Sequence, residues 1–300
     1  MQHLTLIDDK ELNNIRHQAR HTHLRLHAQE QNPQTGPFLS RQKGKGLELE
    51  DQRFYEPGDD IRHMNWQATA RYQRLVTKIF REERQARLLL VIDRSSNMLF
   101  GSQQLKAAIA ARIACALAFY ATNRQIQLDI AVYDHQLTFF PTIKHGNQLF
   151  PFLNFIKTQT KPPTKQAPVI ATKTLLQQID NHQLTGDSIY FIGDFLSWHK
   201  DTSKTLTVLR NKYALNAIQI YDPLEENLPE CGRLRVGDAS HHRTAVINTH
   251  NRALREHLNK KMQQRQQEIA ALFKQNGIPL LRIGTHETPL QRLFELRNAS

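Results

Sequence analysis

Leu88-Leu89-Leu90-Val91-Ile92-Asp93-Arg94-Ser95-Ser96-Asn97-Met98 is a five-residue apolar run that ends in a group of oxygen-bearing side chains. An uninterrupted run of that length with a polar terminus predicts a strand buried on both faces of a sheet. About a hundred residues later Ile189-Tyr190-Phe191-Ile192 ends the same way, in Gly193-Asp194-Phe195. If the two strands are neighbours in a parallel sheet, Asp93, Ser95, Asn97 and Asp194 converge on one crevice. That set offers several oxygens and no thiol, the ligand type that hard divalent cations select.

Outward from these strands the pattern alternates. Helices are predicted over 103–122, 147–157, 172–182, 202–213, 250–275 and 289–297, and further strands over 126–133, 136–140, 217–221 and 278–283. Asp134-His135 leaves room only for a tight antiparallel connection into the short strand at 136–140. The stretch from 222 to about 246 is read as a long loop. This order predicts an α/β fold, a doubly wound and mostly parallel sheet with helices on both faces. Ligands of such sheets bind beyond the carboxyl ends of the strands at a topological switch point, where Asp93 and Asp194 would lie.

Ahead of the sheet, a helix capped by Asp8 or Asp9 is expected to run to about residue 29, with a thin apolar stripe. Breaks at Asn32-Pro33 and Gly36-Pro37 separate it from a small α+β segment. There the sequence predicts a strand at 47–54, a Pro57-Gly58 turn, a helix at 61–71 capped by Asp59 or Asp60 and presenting Trp66 to the core, and a strand at 75–80. The expected organisation is 1–36 as an N-terminal helix, 37–86 as the α+β segment and 87–300 as the main domain.

Composition excludes several classes. Hydrophobic residues make up 39% of 300, enough for a core, but no apolar stretch nears the roughly 20 residues of a membrane span. The first residues, Met1-Gln2-His3-Leu4-Thr5, lack the basic start and apolar centre of a secretory signal, so a cytoplasmic protein is expected. Cys115 and Cys231 are the only cysteines and build neither a disulfide framework nor a zinc site. No phosphate loop, G-x-S-x-G elbow or H-E-x-x-H helix is present, so no enzymatic activity is expected. The formal charge of +12 would attract acidic proteins or nucleic acid. The basic residues of 250–275 lack a base-reading module, which makes a solvated face or an acidic protein the preferred reading over nucleic acid.

The pattern Asp93-x-Ser95-x-Asn97, followed by Asp194 after a later strand, resembles the metal-ion-dependent adhesion site of von Willebrand factor A-type domains. The resemblance implies a von Willebrand A-like fold and a Mg²⁺ or Mn²⁺ ion held by Asp93, Ser95, Asn97, a loop threonine (Thr172 or Thr174) and Asp194, with the partner supplying a carboxylate. Asn97 stands where serine is usual, an amide carbonyl in place of a hydroxyl. Without metal, Asp93 would instead cap its own turn through the following backbone amides.

A longer segment, from Gly46 to Arg71, resembles the signature of a bacterial family of unknown function that places it directly before a von Willebrand A-like domain. Arg53, Tyr55, Pro57, Gly58, Asp59, Asp60, Arg62, Trp66 and Arg71 carry that likeness, with Asn65 where the family generally has aspartate; Asp222-Pro223-Leu224-Glu225 also suits it. Members tend to occur beside MoxR-type AAA+ ATPases, which implies a role as adaptor or partner of such an ATPase. The alternatives are a metal-independent scaffold that uses its basic surface, and a nucleic-acid-associated protein.

Overall fold

The computed structural model describes residues 3–21, 47–56, 64–82, 86–160, 169–182, 188–238 and 243–294. The chain forms two compact units, Met1–Phe38 together with Arg87–Ser300, and Leu39–Ala86.

In the large unit the chain begins with β1 (His3–Thr5) and α1 (Asp9–His21). The amphipathic α1 buries Leu12, Ile15 and Ala19, and β1 pairs antiparallel with a short strand, Thr158–Thr160. Asp8 caps α1 by accepting the Glu11 amide at 2.7 Å.

The small unit consists of β2 (Leu47–Phe54), α2 (Trp66–Tyr72) and β3 (Val76–Glu82), with β2 and β3 antiparallel. Asn65 caps α2, its side-chain oxygen accepting the Ala68 amide at 3.2 Å. The expected cappers Asp59 and Asp60, with Pro57, Gly58 and Arg62, lie outside the described residues. Trp66 does not enter a core: it opens α2 and is 64% exposed. A two-stranded ribbon and a seven-residue helix with no buried residue offer too little interior for an indole.

The large unit then continues with β4 (Arg87–Asp93), α3 (Lys106–Asn123), β5 (Gln127–Tyr133), β6 (Leu137–Phe139), α4 (Phe150–Ile156), β7 (Thr158–Thr160), α5 (Thr172–Asn181), β8 (Ser188–Gly193), α6 (Ser203–Lys212), β9 (Ala214–Tyr221), β10 (Arg233–Asp238), β11 (Arg243–Asn248), α7 (Arg252–Gln275), β12 (Leu280–Gly284) and α8 (Pro289–Phe294). Six strands make one sheet in the order β12-β9-β8-β4-β5-β6, parallel throughout except for β6. This is the doubly wound, mostly parallel α/β fold expected from the alternation. Leu90, Val91 and Ile92 are fully buried because helices cover both faces. One face carries α3, an alanine-rich helix buried almost all round; the other carries a cluster of Phe191, Phe195, Trp198 and Phe273 with residues of α5, α6 and α7.

The stretch read as a loop after 222 contains an antiparallel hairpin, β10 paired with β11. Arg233-Leu234-Arg235-Val236 alternates with period two, and the register sets Leu234 opposite Ile247 and Val236 opposite Ala245, while Val246 is 62% exposed. A strand of that kind leaves little trace in an apolar-run reading.

Candidate functional site: a crevice at the carboxyl ends of β4 and β8

β4 lies between β5 and β8, so the sheet order reverses on its two sides and the switch point falls beside Asp93. Ile92 is level with Ile192, and Asp93 with Tyr133 across β5. A side chain at Gly193 would place its Cβ 2.8 Å from Asp93 Cβ and 3.3 Å from Tyr133 Oη. Glycine is thus required by the close approach of two strand-end side chains.

Asp93, Ser95 and Asp194 are buried here. The Ser95 amide donates to Asp93 Oδ1 at 2.8 Å, so Asp93 does cap its own turn. Asn97 sits half-buried in the single 3₁₀ turn Ser96–Leu99 that follows. Arg94 points away: its guanidinium donates to Phe155 O at 3.2 Å and Thr158 O at 2.7 Å and stacks on the Phe155 ring at 4.2 Å.

After β8 the backbone turns at Phe195, whose φ of 58° is left-handed, a conformation that costs a non-glycine residue roughly 1–2 kcal/mol. Burial of the ring against Trp198 and Phe273 holds it there. The turn brings the Leu196 amide to Asp194 Oδ1 at 3.0 Å. Thr172 opens α5, and its hydroxyl donates to Ser197 O at 3.1 Å, packing against the same loop. The structure therefore gathers Asp93, Ser95, Asn97 and Asp194 about two adjacent strand ends and sets Thr172 against the loop behind Asp194.

Two residues of the crevice had not been read as part of the site, although Glu225 belongs to the segment Asp222-Pro223-Leu224-Glu225 noted for its family likeness. Lys106, the first residue of α3, is fully buried, and its Nζ donates to Asp194 Oδ2 at 3.0 Å and to Glu225 Oε1 at 2.5 Å. Glu225 is held by the capping turn of Asp222-Pro223-Leu224-Glu225, where its other oxygen accepts the Asp222 amide at 3.2 Å. Burial works to lower the Lys106 pKa, but Asp194 and Glu225 outweigh it, and the ammonium stays charged. A signal for Lys106 exists in the sequence: a lysine opens an alanine-rich helix at its N-terminus, where the helix dipole disfavours a cation.

Burial first, and then the neighbouring Asp194, push the Asp93 carboxyl up from 3.8 to about 7, partly offset by the Ser95 amide. The folded state thus holds this proton more tightly than the unfolded chain, so Asp93 lowers stability progressively as pH rises from about 4 to about 7. Asp93→Asn is expected to match the wild type near pH 4 and to exceed it in urea midpoint above pH 7. A wild-type midpoint for the variant at both pH values would refute this origin of the shift.

A resident Mg²⁺ or Mn²⁺ does not fit these residues well. Such ions need several oxygens available at once, with no competing cation. Both Asp194 oxygens are already engaged, one by the Leu196 amide and one by an ammonium, while the Thr172 hydroxyl is directed at Ser197. Among the described residues no group of three or more His, Cys, Asp or Glu side chains is arranged to hold a metal ion.

A family described as "Protein of unknown function DUF58" matches residues 51–268, which is more than half of the chain. The chain belongs to the DUF58 family. Uncharacterized proteins of Mycobacterium bovis and Mycobacterium tuberculosis are each 24% identical over 257 residues, covering 83% of this chain and 78% of theirs. Among solved structures, the conserved hypothetical protein BatB from Bacteroides thetaiotaomicron is similar at 11% identity and TM-score 0.45, over 69% of this chain and 93% of BatB. An aerotolerance-related membrane protein from Bacteroides fragilis is similar at 13% identity and TM-score 0.43, over 70% of this chain and 97% of that one. Among the described residues of this DUF58 chain, no helix is long and apolar enough to cross a membrane.

Of the signature residues in the small unit, Arg53 pairs with Glu56 at 3.1 Å. The Tyr55 amide donates to Leu75 O at 2.8 Å, and Arg71 is exposed at the end of α2. On α7 the three arginines are engaged. Arg252 pairs with Glu256 at 2.7 Å, Arg255 with Glu230 at 3.5 Å, and Arg265 with Glu268 at 3.0 Å while donating to Leu196 O and Trp198 O.

Proposed function

We propose that this protein is a non-enzymatic, cytoplasmic interaction module, an adaptor or partner of a MoxR-type AAA+ ATPase, that meets its partner at the crevice beyond β4 and β8. The observation that carries this reading is how the acidic pair is held. Asp93 and Asp194 lie at the switch point of a doubly wound sheet, where such folds bind ligands, yet they are fastened into loops by the amides of Ser95 and Leu196. That arrangement suits a shaped surface better than a catalytic centre.

The resemblance to an adhesion site would have a divalent metal accept an acidic side chain of the partner. Lys106 in contact with Asp194 favours the metal-independent alternative, in which crevice shape and the surrounding loops make the contact. The pairing of the three α7 arginines with carboxylates weighs for a protein over nucleic acid as the partner.

The test is capture of a purified MoxR-type ATPase by the full chain, with nucleotide, in the presence and absence of EDTA. Capture that survives EDTA and is lost in Asn97→Arg, at unchanged melting temperature, is the expected result. Absence of capture at micromolar concentrations, or capture indifferent to Asn97→Arg, would overturn the assignment.

A further inference from the structure

We infer that the Lys106 ammonium is the permanent cation of this crevice, taking the place that a divalent metal would fill beside Asp194. The ammonium is covered completely, and it bridges two carboxylates from different parts of the chain, Asp194 after β8 and Glu225 after β9. Each partner is fixed independently of the lysine. Asp194 is pinned by the Leu196 amide, and Glu225 is pinned by the amide of Asp222 in its capping turn. The acceptor pair is thus preorganised for one compact positive charge.

Nothing local to α3 explains a cation at this position. As the first residue of the helix, Lys106 faces the unfavourable end of the dipole, and its backbone amide is already satisfied by Phe100 O at 2.9 Å. Its side chain is therefore explained by the carboxylates alone. A divalent ion bound through Asp194 would have to sit close to this ammonium in a place from which water is excluded, where like charges repel strongly. A tethered ammonium also has no dissociation equilibrium, so the crevice keeps its shape whatever the metal concentration.

The consequence for partner capture, that it is insensitive to chelators, rests on the interaction role proposed above. The cation assignment itself does not, because it can be read on the full chain alone. Mn²⁺ binding would be followed by the loss of the free-ion electron paramagnetic resonance signal, and melting temperature with and without about 10 mM Mg²⁺. The wild type is expected to leave the Mn²⁺ signal intact and to melt within about 1 °C of its metal-free value. Lys106→Ala is expected to melt lower and to recover about 3 °C or more with Mn²⁺, which then reaches the uncovered carboxylates.

Stoichiometric Mn²⁺ binding by the wild type that disappears in Asp93→Ala would overturn the assignment, as would a Lys106→Ala variant that melts like the wild type. The wild-type measurement decides the matter even where Lys106→Ala cannot be produced folded.

Discussion

Lys106→Met is expected to lower the unfolding free energy by about 3–5 kcal/mol at pH 7.5, the range found when one partner of a buried ion pair is removed. Methionine keeps nearly the same length and volume, so no large cavity accompanies the change, and the cost isolates the charge. What remains is Asp194 and Glu225, both desolvated and without their counter-ion. Burial already raises the Glu225 carboxyl, with Lys106 holding it back, so without the ammonium Glu225 should titrate further above the unfolded chain. Since the folded variant then binds protons more tightly than the unfolded one, its deficit should shrink as pH falls toward 5. Adding Glu225→Gln to Lys106→Met should cost less than the sum of the single changes, because the second removes a charge the first had stranded. Urea titrations of the four proteins at two pH values measure both effects. Strict additivity, or a deficit that does not depend on pH, would mean that the pair contributes nothing as a pair.

The fold was legible where burial is two-sided. β4 and β8 are apolar runs because helices cover both faces of the sheet, and α3 is legible because its alanines favour helix and tolerate close packing. The antiparallel edge strand β6 was legible from a connection too short for a crossover. The β10–β11 hairpin was not, since polar residues interleave the apolar ones of β10 and bound the short apolar run of β11, so neither strand stands out as a buried run. Trp66 misled for the opposite reason. A tryptophan ordinarily signals a core, and here it opens a helix that has none to offer.

Half of the crevice was visible in the same way. Asp93 and Asp194 announce themselves because each follows directly on a buried strand, and adjacency of those strands is a rule of the fold. Lys106 and Glu225 are 119 positions apart, and nothing in the sequence joins them. Only the pairing of β9 beside β8 brings the turn after β9 over the start of α3. The lysine's place at the wrong end of a helix dipole was a usable clue. It becomes compelling only when its burial is known.

Asp222→Ala should be comparably severe, about 4 kcal/mol, for a reason unrelated to ion pairing. Asp222 is fully buried and accepts four hydrogen bonds: from the Ser102 amide at 2.6 Å, the Ser102 hydroxyl at 2.8 Å, the Thr285 hydroxyl at 2.6 Å and the Leu224 amide at 2.9 Å. It thereby ties the loop before α3, the end of β12 and the capping turn that carries Glu225. Burial alone would raise its carboxyl, but these donors outweigh burial and hold it below the usual value, so its contribution is present at neutral pH and is lost on acidification below about 4. Alanine would strand several donors at once. Asparagine keeps one oxygen but turns an N–H toward some of them, so Asp222→Asn should recover only part of the loss. Because the Ser102 loop leads into Lys106 and the Leu224 turn leads into Glu225, Asp222→Ala should also speed amide exchange at Ser102 and Leu224 beyond what global unfolding accounts for. A variant with reduced global stability but unchanged local protection at those amides would show that the two loops are held by the sheet, and that Asp222 contributes stability without organising the crevice.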